Sequence, residues 1–275
     1  MSLKLESMLD CDLAEAAGVL NRGFADYWVR IEFSVAGLLL MVAQDGISIS
    51  DSRVAMRSNE KVAVALVARR GWSSRLAGMA VVPEARATGV GSWLTAQLLA
   101  ESKERGERRM ELEVIEDNAP GVRLYRKSGF RTLRRLLSFA LSDVNEGSKA
   151  ELEEVDIREV ARIVTTYGLP DLPWQVSGES LAQLGPPGRA YKSGAAYAAV
   201  SDPAGPSVAI RSIVVEPQGR RQGHAARLLR ALIAEHPGKE WSVPALCPEE
   251  MGGLFERVGF ARGPLTQLHM VREWS

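Results

Sequence analysis

Two short stretches of this chain share a residue pattern suited to binding anions. Residues 86–91 read RATGVG and residues 220–225 read RRQGHA; each follows an apolar run and a proline, Pro83 or Pro217, and precedes apolar residues at helical spacing. The first amides of a helix lack intrahelical partners and sit at the positive end of its dipole. Glycines before them let the backbone turn tightly and a ligand approach closely, so the arrangement can hold phosphate or pyrophosphate, with arginine adding charge. A purely structural turn can carry the same residues. Two stricter nucleotide motifs fail, because neither stretch continues into Gly-Lys-Ser/Thr and the third glycine of a dinucleotide fingerprint is Leu94 or Leu228.

The elements around these turns are legible in outline. Asp10 or Asp12 can cap a helix stopping at Gly23, and a mostly apolar helix ends near Asp45-Gly46. SRVAMRS, VAVALVARR and RLAGMAVV read as three hairpin-linked strands. Val90, Trp93, Leu94 and Leu98 then recur at helical spacing up to a stop at Gly106. RMELEVI reads as a strand, APGVRLYRKSG as a short helix and RRLLSFAL as a strand. The expected class is α+β, a mixed, largely antiparallel sheet with flanking helices.

The second half repeats this order. Val81, Pro83, Arg86 and Gly89 recur 134 residues later as Val215, Pro217, Arg220 and Gly223, and LYRKSGF at 124–130 recurs as LFERVGF at 254–260. An internal duplication is the simplest account. The polar segment 142–149 marks the expected boundary, giving domains 1–145 and 146–275.

Bulk properties narrow the function classes. Lys plus Arg and Asp plus Glu are both 34, without the basic surplus of a nucleic-acid binder. Cys11 and Cys247 are too isolated for a disulfide framework, which suits a reducing compartment. The first residues lack the order of a signal peptide, and VAGLLLMVA at 35–43 is too short to span a bilayer. A soluble, cytoplasmic protein with no membrane or nucleic-acid partner is expected. His224, His236 and His269 form no metal-ligand spacing, and no Gly-x-Ser-x-Gly elbow occurs.

In combination, Arg86-Ala-Thr-Gly-Val-Gly91, Asn118, Leu124-Tyr125 and Gly129-Phe130 resemble the GCN5-related N-acetyltransferase (GNAT) family, and the duplication resembles double-domain members such as mycothiol synthase. The resemblance implies a sheet that splays open beside the third strand, with acetyl-CoA inserted there. It implies that the backbone of Ala80, Val81 and Val82 binds the pantetheine arm and thioester carbonyl. The amides of Arg86, Ala87, Thr88, Gly89, Val90, Gly91 and Ser92 would hold the pyrophosphate, Asn118 a pantetheine amide, and Tyr125 would face the sulfur. The loop with Asp26, Tyr27 and Trp28 would line the acceptor site, where an acid and two aromatics suit a cationic amine; pinning of the helices to the core explains the same residues.

Acyl transfer to an amine needs an oxyanion donor, a proton for the leaving thiolate and a base. A Val81 or Val82 amide suits the first, and Tyr125 the second. Full proton transfer from a phenol of pKa ~10 to a thiolate of ~8.5 is uphill by about 2 kcal/mol, so a strengthening hydrogen bond is expected. Glu111 and Glu113 share one face of RMELEVI, and Glu113 is the candidate base; a solvated strand face is the plain alternative.

The second copy departs from the pattern at Phe255, in the tyrosine position, and at Pro248, in the asparagine position. Neither side chain offers a hydrogen bond. Val214, Val215, Arg220, Arg221, Gln222, Gly223, His224 and Ala225 form a second candidate cofactor site without the chemistry. The sequence expectation is an acetyl-CoA-dependent N-acetyltransferase acting on a small-molecule or peptide amine in its first domain. A transferase using both domains and a non-catalytic CoA sensor are the alternatives, and an exposed sheet edge permits a homodimer.

Overall fold

The computed structural model describes residues 2–141 and 151–274, so the expected linker at 142–149 lies outside the described residues. The chain divides into two compact units, Met1–Leu133 with His269–Ser275, and Arg134–Leu268.

Unit 1 begins with β1 (Leu3–Ser7), α1 (Leu13–Phe24) and α2 (Val35–Asp45). The Asp12 side chain accepts from the Ala14 amide at 2.6 Å and starts α1, as expected of an aspartate cap, while Gly46 ends α2 at φ 71°. The strands β2 (Arg53–Arg57), β3 (Glu60–Arg70) and β4 (Ser73–Val81) form the antiparallel meander read from the sequence. β1, which the sequence reading missed, adds to β2 with Leu3 opposite Arg57. Then follow α3 (Val90–Glu104), β5 (Arg109–Ile115) and α4 (Ala119–Lys127). β4 and β5 pair in parallel only from Ser73 and Arg109 to Arg75 and Glu111, and beyond that point the strands part. Leu66, Leu94, Leu98, Met110 and Leu112, all at most 1% exposed, form the core that holds both walls of this gap.

β6 (Arg131–Leu141) starts in unit 1 and runs on into unit 2. Unit 2 continues with β7 (Glu153–Val155), α5 (Ile157–Tyr167), α6 (Gly178–Leu181), β8 (Arg189–Ser193), β9 (Ala196–Val200) and β10 (Ser207–Val215). It ends with α7 (His224–Glu235), β11 (Glu240–Pro248), α8 (Gly252–Val258) and the first part of β12 (Ala261–Glu273). Among the described residues its strands are antiparallel except for one parallel contact, β10 with β11, which again lasts only from Ser207 and Glu240 to Ala209 and Ser242. Leu228, Leu232, Trp241 and Phe255 pack in its core.

The division corrects the linear boundary at 145: His269–Ser275, read with the second domain, belong to unit 1. There Arg131 pairs with Glu273 at 2.6 Å, the Trp274 amide donates to the Arg108 carbonyl at 3.0 Å, and Arg272 donates to the Ser128 carbonyl. Pairing between strands distant in sequence leaves no local signal, which hides this exchange from a linear reading.

Candidate active site

The gap between β4 and β5 leaves one edge of β4 unpaired, and alternation along the strand decides which groups face it. The Val82 amide donates to the Val62 carbonyl of β3 at 3.0 Å, so Val82 and Ala80 turn their main-chain groups toward β3. Val81 and Met79 have the opposite phase and face the gap. Of the two amides considered for the oxyanion, only that of Val81 faces the gap. Met79, two residues earlier, was missed, because strand phase cannot be read without the partner register.

The turn after β4 has the conformation its glycines allow. Ala87 lies at φ 58° and Gly89, the N-cap of α3, at φ 90°. A left-handed non-glycine residue costs about 1–2 kcal/mol, so the surroundings hold Ala87 there. No side chain caps α3, and the Trp93 amide is the first to bond back, to Gly89 at 2.9 Å. The amides of Val90, Gly91 and Ser92 therefore point out of the helix end, where an anion is favoured. The Arg86 amide is engaged, since it closes a turn onto the Pro83 carbonyl at 3.2 Å.

The Arg86 side chain turns away from the helix end. Its Nε donates to the Val81 carbonyl at 3.2 Å, and its Nη atoms reach the Gly23 carbonyl at 2.9 Å and both Asp26 oxygens at 2.6 and 2.7 Å. This bidentate hydrogen bonding holds the Asp26 carboxyl below its ordinary range. Asp26, expected to meet a cationic amine, is thus already matched by a guanidinium. The basic group that does reach the turn is Arg57 of β2, whose Nη2 donates to Thr88 Oγ1 at 2.6 Å. Its separation of 31 residues from Thr88 hid it from motif reading.

Tyr125 of α4 is 9% exposed and meets Phe130 edge-on at 5.8 Å. Burial, then the nearby Tyr27, push its phenol above the usual range. Burial raises the Tyr27 phenol, and the Asn118 side chain close to it partly offsets the rise. Asn118 also caps α4, its Oδ1 accepting from the Gly121 amide at 3.0 Å. The loop expected at the acceptor side therefore reaches the two motif residues through Tyr27. Phe24, Tyr27, Trp28 and Phe33 form a chain of ring contacts in that loop, and Trp28 stays 52% exposed.

Glu113 and Glu111 do not lie on a solvated face. Glu113 pairs with Arg75 of β4 at 2.8 Å, with side chains 3% and 5% exposed, and Glu111 pairs with Arg109 at 2.8 Å. Glu113 Oε1, also buried, makes no hydrogen bond. Arg75 was not singled out from sequence, since its partner lies 38 residues away on another strand.

The sequence profile of the Acetyltransferase (GNAT) family matches residues 26–130, the stretch holding this gap, turn and tyrosine. Those residues form a GNAT domain. No curated protein matches the sequence. Solved structures share the fold over the whole chain. One is a GCN5-related N-acetyltransferase from Sphaerobacter thermophilus, 15% identical with a TM-score of 0.71 over 98% of this chain and 95% of that one. Another is a tandem GNAT protein from the clavulanic acid biosynthesis pathway, 16% identical with a TM-score of 0.64 over 99% and 98%. A GCN5-related N-acetyltransferase from Kribbella flavida is 18% identical with a TM-score of 0.63 over 99% and 71%. The fold is therefore the tandem GNAT fold, α+β with a largely antiparallel sheet.

Beside the GNAT domain, unit 2 keeps the turn and loses the polar groups. Arg221 and Gly223 lie at φ 61° and 79°, as Ala87 and Gly89 do in unit 1, and Arg220 Nε donates to the Val215 carbonyl at 3.2 Å. Arg220 Nη2 reaches the Tyr167 carbonyl at 2.5 Å, and the Glu216 amide bonds the Ala195 carbonyl, which leaves Val215 facing the gap and turns Val214 toward β9. Gln222 donates to the Gln218 carbonyl at 2.7 Å. The His224 ring packs against Gly194 between β8 and β9, and Ala225 continues α7. Among the described residues, no three His, Cys, Asp or Glu are grouped to hold a metal, and no helix is long and apolar enough to cross a membrane.

Proposed function

We propose that the chain transfers an acetyl group from acetyl-CoA to a primary amine, in unit 1. The observation that carries this is the unpaired Val81 edge of β4 lying next to the open first amides of α3, with Leu124, the neighbour in sequence of the buried Tyr125, close to Gly91 there, inside a GNAT domain. The pyrophosphate sits on the amides from Ala87 to Ser92, with Arg57 supplying the nearby charge. Met79 and Val81 pair with the pantetheine arm as a neighbouring strand would.

In the reaction the neutral amine attacks the thioester carbon, and the carbonyl oxygen gains charge opposite the Val81 amide. The C–S bond then breaks, and Tyr125 donates a hydrogen bond to the departing thiolate. Because its phenol is raised by burial, it stabilises the sulfur while keeping its own proton, and water supplies the proton that makes the free thiol. The ammonium proton of the intermediate passes through water to Glu113 Oε1, a buried carboxylate oxygen with no other partner. Arg75 fixes the other oxygen and the position of the carboxylate. The loop with Asp26, Tyr27 and Trp28 borders the amine, Asp26 acting through Arg86.

Unit 2 has no donor at Phe255 or Pro248, so one acetyl-CoA per chain is expected. Calorimetric titration of acetyl-CoA, read for stoichiometry, combined with detection of free CoA over a panel of amines, tests the proposal. A single site with no CoA release on any amine favours a CoA-sensing protein. Two sites favour a transferase that uses both units.

A further inference from the structure

A cavity of 390 Å³ opens in unit 2 between β10 and β11, in the place where unit 1 keeps its polar groups. Ser207 and Glu240 pair as Ser73 and Arg109 do, so Ala209 and Pro244 stand where unit 1 has Arg75 and Glu113. Pro248 and Phe255 replace Asn118 and Tyr125. Four polar side chains thus have smaller or apolar counterparts, and β11 leaves its register with β6 between Val243 and Cys247. Ile210, Ile213, Val243, Leu246, Met251 and Phe255 are among the walls, and the volume lies in the range of small-molecule pockets.

Charge at the rim is uneven. Arg220 is engaged by the carbonyls of Val215 and Tyr167, and Glu250 pairs with Arg134 at 3.2 Å. Arg211 also lines the cavity, is exposed, and makes no hydrogen bond or ion pair among the described residues. Of the residues in the second glycine turn, only Arg220 borders the space, so nothing in the lining calls for a phosphate. We propose that unit 2 binds a compact apolar carboxylic acid, its aliphatic or aryl body among these side chains and its carboxylate on Arg211. This stands independently of acetyl transfer in unit 1.

Cys247 lines the cavity, and it becomes the only thiol once Cys11 is replaced, since the chain has two cysteines. In the Cys11→Ser protein, octanoate and 4-phenylbutyrate are titrated by calorimetry beside their neutral amides. The rate of Cys247 modification by methyl methanethiosulfonate at pH 9 is followed with and without each compound. Expected are one saturable site per chain and at least tenfold slower modification at saturation. At least tenfold weaker binding is expected for the amides, and for the acids on Arg211→Gln, an exposed position that leaves the core intact. Absence of binding by either acid overturns the proposal, as does equal affinity for the amides or in Arg211→Gln. It is also overturned if acetyl-CoA displaces the acid and shields Cys247 itself, which makes the cavity a pantetheine channel.

Discussion

Around Val81 and around Val215 the chain builds the same clasp. A left-handed residue and a left-handed glycine shape the turn, and an arginine ties the strand end to the helix before the sheet. The facing strands then differ. β5 offers Glu113 to Arg75 and leads into Asn118 and Tyr125, while β11 carries Pro244 two residues beyond Ser242, the partner of Ala209, and leads into Pro248 and Phe255. The turn depends on backbone conformation alone and survives a complete change of chemistry next to it. The motif arginine, which looks like a phosphate ligand, belongs to the shared architecture.

The largest expected effect tests the polar wall of unit 1. Glu113→Leu strands the buried Arg75 charge, and urea unfolding is expected to lose about 3–5 kcal/mol. Arg75→Met added to it, which brings unit 1 closer to unit 2, should recover most of that loss. If Glu113→Leu alone is neutral, the pair does not separate the two units.

Next come the turns. Gly89→Val forces a β-branched side chain into left-handed backbone and closes the anion site, so kcat/KM is expected to fall at least roughly 100-fold. Gly223→Val, in the same conformation, should change it by less than about threefold; equal losses would make both turns part of one reaction.

Tyr125→Phe copies the residue of unit 2 into unit 1. A fall in kcat of roughly 30-fold with unchanged acetyl-CoA affinity is expected from losing one transition-state hydrogen bond, whereas unchanged kcat removes the assigned role. The pH profile sharpens this. A folded-state pKa raised by burial keeps the phenol protonated, and the stability it contributes is present below about pH 10 and lost only as pH rises through the raised value. The rate should therefore show no fall from phenol ionisation below about pH 10.

The smallest effect concerns the thiols. Burial pushes Cys247 up to about 12, so at pH 8 it should react with iodoacetamide more slowly than the half-buried Cys11. Equal rates would mean that the interior of unit 2 is open to water.

The repeat, both turns and the bounds of β5 and α4 were legible because each rests on local signals such as glycine, proline and period. What depends on direction or distance was not. Sequence places Arg86 in the motif but does not say that its side chain faces Gly23 and Asp26. Arg57, Arg75 and the phase that selects Val81 over Val82 follow from strand register. β1, with only five residues, has no meaning until β2 lies beside it.

The return of His269–Ser275 to unit 1 has a consequence for biosynthesis. Trp274, Arg272 and Glu273 fasten to Arg108, Ser128 and Arg131, all made long before them. At roughly 5–20 residues per second, the ribosome keeps unit 1 waiting on the order of ten seconds for its last strand. Unit 2, unbroken in sequence, is able to close first, and unit 1 is completed only after all of unit 2 has been made.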